Sequence, residues 1–304
     1  MLGAVVGYAF AVLVWPGLLG AAALGWLYLW IARKLTARLQ GRQGPPFYQP
    51  FFDFVKLMGK QTVVPGGVNE RLFRALPIVS VTATTLALVI VPVPGYPAWS
   101  FSGDLVLLIY LLEVPMLCDV LAGYVTRSIY AQVSATREAV MSLGYNVPFL
   151  AAVIAMAQHA GSFRLGDVQQ APIGPVWLFA AVAFLLAVPA RVKSNPFSIA
   201  NAEQEIVGGS HLEYSGSSLA MFELSHALEV VVLINLFTAL FVPAVGAGVL
   251  AGAALYLAVS VALVAAVTLV AATTARLRVS QAFRFYWVWG GLAGCAAIVA
   301  AMIR

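Results

Sequence analysis

The sequence predicts an all-α, polytopic integral membrane protein of about eight transmembrane helices plus a short amphipathic surface helix, and three observations carry that prediction. Hydrophobic residues fill 62% of the 304 positions and charged residues only 10%, against about 25% charged in an ordinary soluble domain. Mean hydropathy is +0.93. The apolar residues also gather into runs near the roughly 20 residues that cross a bilayer as a helix. Those runs are 3–31, 74–92, 104–125, 139–158, 174–190, 218–242, 246–271 and 284–303. They read as a single membrane domain over 1–304.

The first run has no basic leader, is too long for a signal peptide and ends in no clear cleavage site, so it is expected to be a retained helix. The stretch that follows, GRQGPPFYQPFFDFVKLMGKQTVVP at 41–65, is too polar to cross a bilayer. Pro45, Pro46 and Pro50 stiffen its first half. Phe51, Phe52, Phe54, Val55 and Leu57 then lie at near-helical spacing, with Asp53, Lys56 and Lys60 off that face. A short helix lying on the membrane surface fits this pattern.

Charge sets the expected orientation. The odd-numbered connections, 33–73, 126–138, 191–217 and 272–283, hold 15 of the 17 basic residues when their flanks are included. Basic residues stay on the cytoplasmic side, so these connections are expected to be cytoplasmic and both termini outside. The outward loops are short and rich in Pro, Gly and Ser (91–103 and 160–175). The net charge of +5 is thereby a topology signal, and no basic–aromatic motif points to nucleic acid.

Carboxylates inside apolar runs are expensive and face protein or water. Glu113 and Asp119 lie in the third run, and Glu138 opens the fourth beside Arg137. Glu223, His226 and Glu229 follow at i, i+3, i+6 in the sixth, so each neighbours the next. Two readings stay open. The seam is a hydrated proton path through carboxylates and imidazole, or it is a static hydrogen-bonded network between helices.

The 191–217 connection, RVKSNPFSIANAEQEIVGGSHLEYSG, is the second chemical feature. Asn195-Pro196-Phe197 reads as a turn. Ala202-Glu203-Gln204-Glu205 starts a short helix with acids at its positive end, and Gly208-Gly209 ends it. An ordered polar loop on a membrane face has the character of a docking platform. Its acids Glu203, Glu205 and Glu213 lack the His/Asp company of a metal site. Cys118 and Cys295 sit within apolar runs, and CxxC, HExxH and nucleotide-binding glycine motifs are missing from the sequence. Neither a catalytic residue nor a cofactor or metal site is therefore assigned to this chain.

Together these residues resemble the membrane subunit that joins the hydrophilic arm to the membrane arm in complex I and in membrane-bound [NiFe] hydrogenases. The complex I form is the H-type subunit of NADH-quinone oxidoreductase, also called NADH dehydrogenase subunit 1, and the hydrogenase form is of the formate hydrogenlyase subunit 4 type. Arg42-Gln43-Gly44-Pro45, Gln49, Asp53, Lys56-Leu57 and Lys60-Gln61 match the family's first cytoplasmic run. Arg137-Glu138 fits its S-R-E element. Pro196-Phe197, Ala202-Glu203-Gln204-Glu205, Gly208 and Glu213-Tyr214-Ser215-Gly216 match its P-F…A-E-x-E…G…E-Y-S-G run, which is highly specific. Arg276-x-Arg278 with Gln281 and Trp287 matches the run before the last helix.

The resemblance covers essentially the whole chain and implies a membrane-anchor and coupling subunit in a prokaryotic cytoplasmic (inner) membrane. Its partners would be hydrophilic hydrogenase-like large and small subunits, an Fe–S subunit and antiporter-like membrane subunits, with Fe–S clusters and the NiFe site on those partners. It implies docking through Arg42, Gln49, Asp53, Lys56, Lys60, Glu203, Glu205, Glu213, Tyr214, Arg276 and Arg278, and an H+ or Na+ path through Glu113, Asp119, Glu138, Glu223, His226 and Glu229. Lys56-Leu-Met-Gly-Lys60-Gln61 and Ala-Glu-Gln-Glu are closer to the hydrogenase branch, a group 4 enzyme of the formate hydrogenlyase type. The alternatives are a complex I subunit shaping a quinone site and a stand-alone secondary transporter. A transporter often carries inverted repeats, and the two halves of this sequence show none.

The sequence also departs from the family. Ser198 stands where relatives carry Asp, Asn201 and Asn146 where they carry Glu, and the basic Arg191-Val-Lys193 where an acid precedes P-F. Each change removes a carboxylate from the implied proton entry. An amide or hydroxyl can hydrogen-bond there but cannot carry net charge.

Overall fold

A computed structural model describes residues 2–94, 96, 99–242 and 248–303. Every named element in it is helical. α1 (Leu2–Leu13) and α2 (Leu18–Leu39) follow one another across a short break, α3 (Gln49–Met58) lies beside α2, and α4 (Glu70–Ile90) and α5 (Asp104–Val125) follow. Then come α6 (Ile129–Ala160), the short α7 (Leu165–Gln169), α8 (Pro175–Arg191), and the single-turn α9 (Glu203–Ile206). α10 (Gly216–Phe241), α11 (Gly248–Thr273), α12 (Val279–Phe285) and α13 (Gly291–Met302) complete the chain. Among the described residues seven helical segments are long and apolar enough to cross a membrane, and Pro175–Arg191 is a shorter apolar helix.

Three boundaries differ from the expected ones. The run at 3–31 is broken after Leu13, because Pro16 cannot donate the backbone bond a continuing helix needs, and α2 then extends to Leu39. The connection given as 126–138 is mostly helix, since α6 begins at Ile129. Ala131, Ser134, Ala135 and Glu138 are buried, so tertiary packing extends the helix through residues whose polarity suggests a loop. The last run is one helical column with a π turn at Tyr286–Gly290, where Gly290 and Gly144 lie against Pro148 and Tyr286.

The core lies between α2, α4, α5, α6, α8 and α10, with Tyr28, Leu88, Leu108, Phe149, Phe184 and Leu228 fully enclosed. α2 and α10 approach closely at Gly25, where a Cβ would stand 2.5 Å from the Ala227 carbonyl oxygen. Ser80 and Ser225 share a 2.6 Å hydrogen bond that ties α4 to α10 inside this core. Small residues of this kind let membrane helices pack backbone to backbone.

Candidate functional site

The charged connections converge at one end of the bundle. α3 packs its Phe51 and Phe54 rings against Trp26 of α2, at 5.3 and 5.4 Å. Asp53 faces Arg33 at 3.2 Å and accepts from Gln49 at 2.8 Å, so the polar edge of α3 is clamped to the end of α2. The turn before α3 is held by Trp30 Nε1, which donates to the Pro45 carbonyl at 3.0 Å, and by Lys34 Nζ, which donates to the Gly44 carbonyl at 3.3 Å. Phe52 and Val55 remain outward, as a surface helix requires.

The segment after α3 runs across the start of α10. Val63 N donates to Ser215 Oγ at 3.0 Å, and the Thr62 and Ser217 hydroxyls share a 3.0 Å bond. Gly216 lies between them at φ +58°, and a Cβ there would sit 2.6 Å from the Lys60 carbonyl oxygen. Only glycine fits that conformation and that contact. The same connection meets the next ones: Leu277 N donates to the Pro196 carbonyl at 3.0 Å, and Arg276 Nε to Ser198 Oγ at 3.2 Å. Arg137 donates to Glu205 at 2.6 Å, and that guanidinium holds the Glu205 carboxyl below its ordinary range.

The other expected docking residues fall in different places. Arg42 donates to its neighbour Gln40, and Lys56 and Lys60 are exposed. Glu213 is half-buried. Arg278 precedes α12 and donates its backbone N–H to Gln281 at 3.1 Å. Tyr214 is enclosed, stacked on Phe73 with centroids 4.0 Å apart and edge-on to Phe222 at 5.0 Å. Burial pushes its phenol above the usual tyrosine range. Tyr214 therefore braces the platform from beneath and presents nothing outward. The Glu203 side chain lies outside the described residues.

Beneath this surface two cations of the 191–217 connection turn back into the bundle. Arg191, the last residue of α8, donates to the Glu113 carboxylate and, at 2.8 Å, to Asn146 Oδ1. Its guanidinium stacks 3.9 Å from the Phe149 ring centroid, a cation–π contact made in a desolvated place. Two residues on, Lys193 takes the left-handed backbone conformation, φ +51°, and donates to Asp119. The second Asp119 oxygen lies 3.0 Å from His211 Nε2. Burial opposes the Lys193 charge, but Asp119, Glu138 and Glu229 overcome it and hold the ammonium above its ordinary pKa.

A cavity of about 60 Å³ lies beside these pairs. Asp119, Lys193, His211, Glu223, His226 and Glu229 line it with Ser80, Asn201 and Ser225. Space for one water needs roughly 10–15 Å³, so a few waters fit. Glu223 also borders a second cavity of about 200 Å³ between α2, α3 and α10, with Arg33, Asp53 and Leu57. The structure thus gathers Asp119, Glu223, His226 and Glu229 of the expected ion path. It sets Glu113 apart with Arg191, and Glu138 lies near Lys193 but outside the cavity lining, under the Tyr145 hydroxyl at 3.5 Å. No His, Cys, Asp and Glu cluster suited to a metal ion occurs among the described residues. His211, like Arg191 and Lys193, is a site residue to which sequence reasoning gave no role. Its place inside His211-Leu-Glu-Tyr, directly before the family-like Tyr-Ser-Gly, was the available signal.

The helical membrane bundle, with its charged connections interlocked at one end and ion-paired carboxylates below them, is placed by its relatives among the membrane subunits of complex I-like respiratory oxidoreductases. The family model described as NADH dehydrogenase matches residues 11–302, and the chain belongs to that family. It is 32% identical to NADH-quinone oxidoreductase subunit 8 of Thermus thermophilus, over 91% of this chain and 80% of that one. It is 26% identical to the H-type subunit of the NADH-quinone oxidoreductase of Dehalococcoides mccartyi, over 86% and 77%. Among solved structures it resembles a chain of the membrane-bound sulfane sulfur reductase, an archaeal respiratory membrane complex. There the TM-score is 0.84 at 30% identity, over 93% of this chain and 96% of that one.

Proposed function

We propose that this chain is the membrane anchor of a group 4 [NiFe]-hydrogenase-like complex of the formate hydrogenlyase type. It docks a hydrophilic redox module on its basic, cytoplasmic end and passes H+ or Na+ through the bundle below. The observation that carries this reading is the interlocking of 33–73, 191–217 and 272–283 into one surface through the bonds at Ser215, Ser217, Ser198 and Pro196. A preorganised surface loses little entropy when a partner binds it. The hydrogenase type is favoured by Lys56–Gln61.

Affinity purification of the tagged chain from membranes decides the partner set. A hydrogenase-like anchor brings down a CxxC-bearing large subunit and no flavin subunit. A flavin subunit in the preparation transfers the assignment to NADH-quinone oxidoreductase, the reading favoured by the names of the relatives. A chain that purifies alone is a transporter.

The ion route is proposed to run through Glu223, His226 and Glu229, which share the polar cavity, with Glu138 close by. Only titratable groups and their waters pass charge at this depth. Glu223→Gln keeps the shape and removes the charge. In sealed vesicles the variant complex is expected to keep electron transfer and lose ΔpH formation. Unchanged ΔpH would reduce the seam to a static network.

A further inference from the structure

The two carboxylates inside α5, Glu113 and Asp119, are paired with cations supplied by the chain itself. Glu113 is held by Arg191, and Asp119 by Lys193 and His211. The Asp119–Lys193 pair is about nine-tenths buried on each side chain and forms one wall of the polar cavity. An ammonium and a monovalent metal ion compete for the same carboxylate oxygens. Here the ammonium is covalently delivered: the backbone around it is fixed by Lys193 N to the Ala190 carbonyl at 2.9 Å and Ser194 N to the Pro189 carbonyl at 2.8 Å. A tethered group meets its partner at a high effective concentration. The left-handed backbone at Lys193, uncommon for a residue with a side chain, is what turns the ammonium inward. Ser80 and Ser225 bond one another, which leaves Asn201, Glu223 and Glu229 as the other oxygen-bearing groups of the wall.

We propose that Lys193 is a built-in counter-ion that fills the cation position of this cavity, bars free Na+ and K+ from Asp119, and leaves protons as the charge the cavity can take up. Glu223, Glu229 and His226 are then its exchangeable groups, and Lys193 determines ion specificity without carrying charge across. The inference rests on reading the cavity as an ion route. Retention of 22Na+ by the purified chain, in whatever assembly it occupies, tests it without turnover, so its outcome is independent of the redox assignment.

The wild type and Lys193→Arg are expected to retain 22Na+ only at background. Lys193→Gln is expected to retain stoichiometric 22Na+, and adding Asp119→Asn should return it to background. If Lys193→Gln does not accumulate, the charge-balanced Lys193→Gln/Glu229→Gln variant carries the same expectation. Retention by the wild type that Asp119→Asn removes would overturn the proposal, as would background retention in a stably purified Lys193→Gln or charge-balanced variant.

Discussion

Arg191 shows what a single residue does in this bundle. Its side chain is almost wholly enclosed, while Glu113 keeps about a fifth of its exposure. Breaking a buried pair by removing one member leaves the other charged and unpaired, at about 3–5 kcal/mol. Arg191→Leu should therefore lower stability by about 3 kcal/mol, the low end of that range, because Glu113 is partly hydrated. Arg191→Leu with Glu113→Leu should recover most of the loss. Thermal unfolding of the purified protein measures both, and a single variant as stable as the wild type would show that the pair contributes little. The sequence displays Arg191 and Lys193 as basic residues in an acidic family context. It cannot display their partners, because Glu113 and Asp119 lie 78 and 74 residues away and the match exists only once α5 and α8 both pack against α6. Asn146 was legible as a lost carboxylate. Its amide proves to accept from Arg191 and to donate to Glu113 at 2.8 Å, so it completes the pair that the basic substitution created.

At the scale of elements, hydropathy located every long helix, because a membrane span must be both long and apolar. It misplaced ends where side-chain polarity and packing disagree, as at the start of α6, where buried Ala131, Ser134 and Ala135 continue a helix that Gln132 and Arg137 disguise. The break after Leu13 needed the backbone consequence of Pro16 to be weighed above the apolar run around it. The amphipathic α3 was legible in its aromatic spacing, and its clamp onto α2 through Asp53 and Arg33 was not. The α2–α10 contact leaves little tolerance. Gly25→Val places its Cβ 2.5 Å from the Ala227 carbonyl oxygen, a backbone atom that cannot rotate away. Overpacking costs about 1–3 kcal/mol, so the variant should melt several degrees lower and become more sensitive to protease near the 191–217 platform. A melt equal to the wild type would contradict the close approach of these helices.

For the whole molecule, function follows from the division between an interlocked charged end and a membrane body holding paired carboxylates. The family was legible in the sequence because its motifs occupy the connections that contact one another, and the Gly216 position shows why: the turn into α10 admits no side chain. The composition of the redox module was not legible, since its distinguishing residues lie on other subunits. The claim that the charged end is a docking platform is tested by affinity purification of the tagged chain from membranes carrying the wild type, Arg42→Ala or Glu205→Ala. Glu205 is chosen because its partner Arg137 stays in place on α6, leaving the membrane body intact. The wild type should bring down the hydrophilic Fe–S and large subunits, and each variant should remain in the membrane at normal amount while those subunits are lost. Full recovery of the hydrophilic subunits with both variants would contradict the platform.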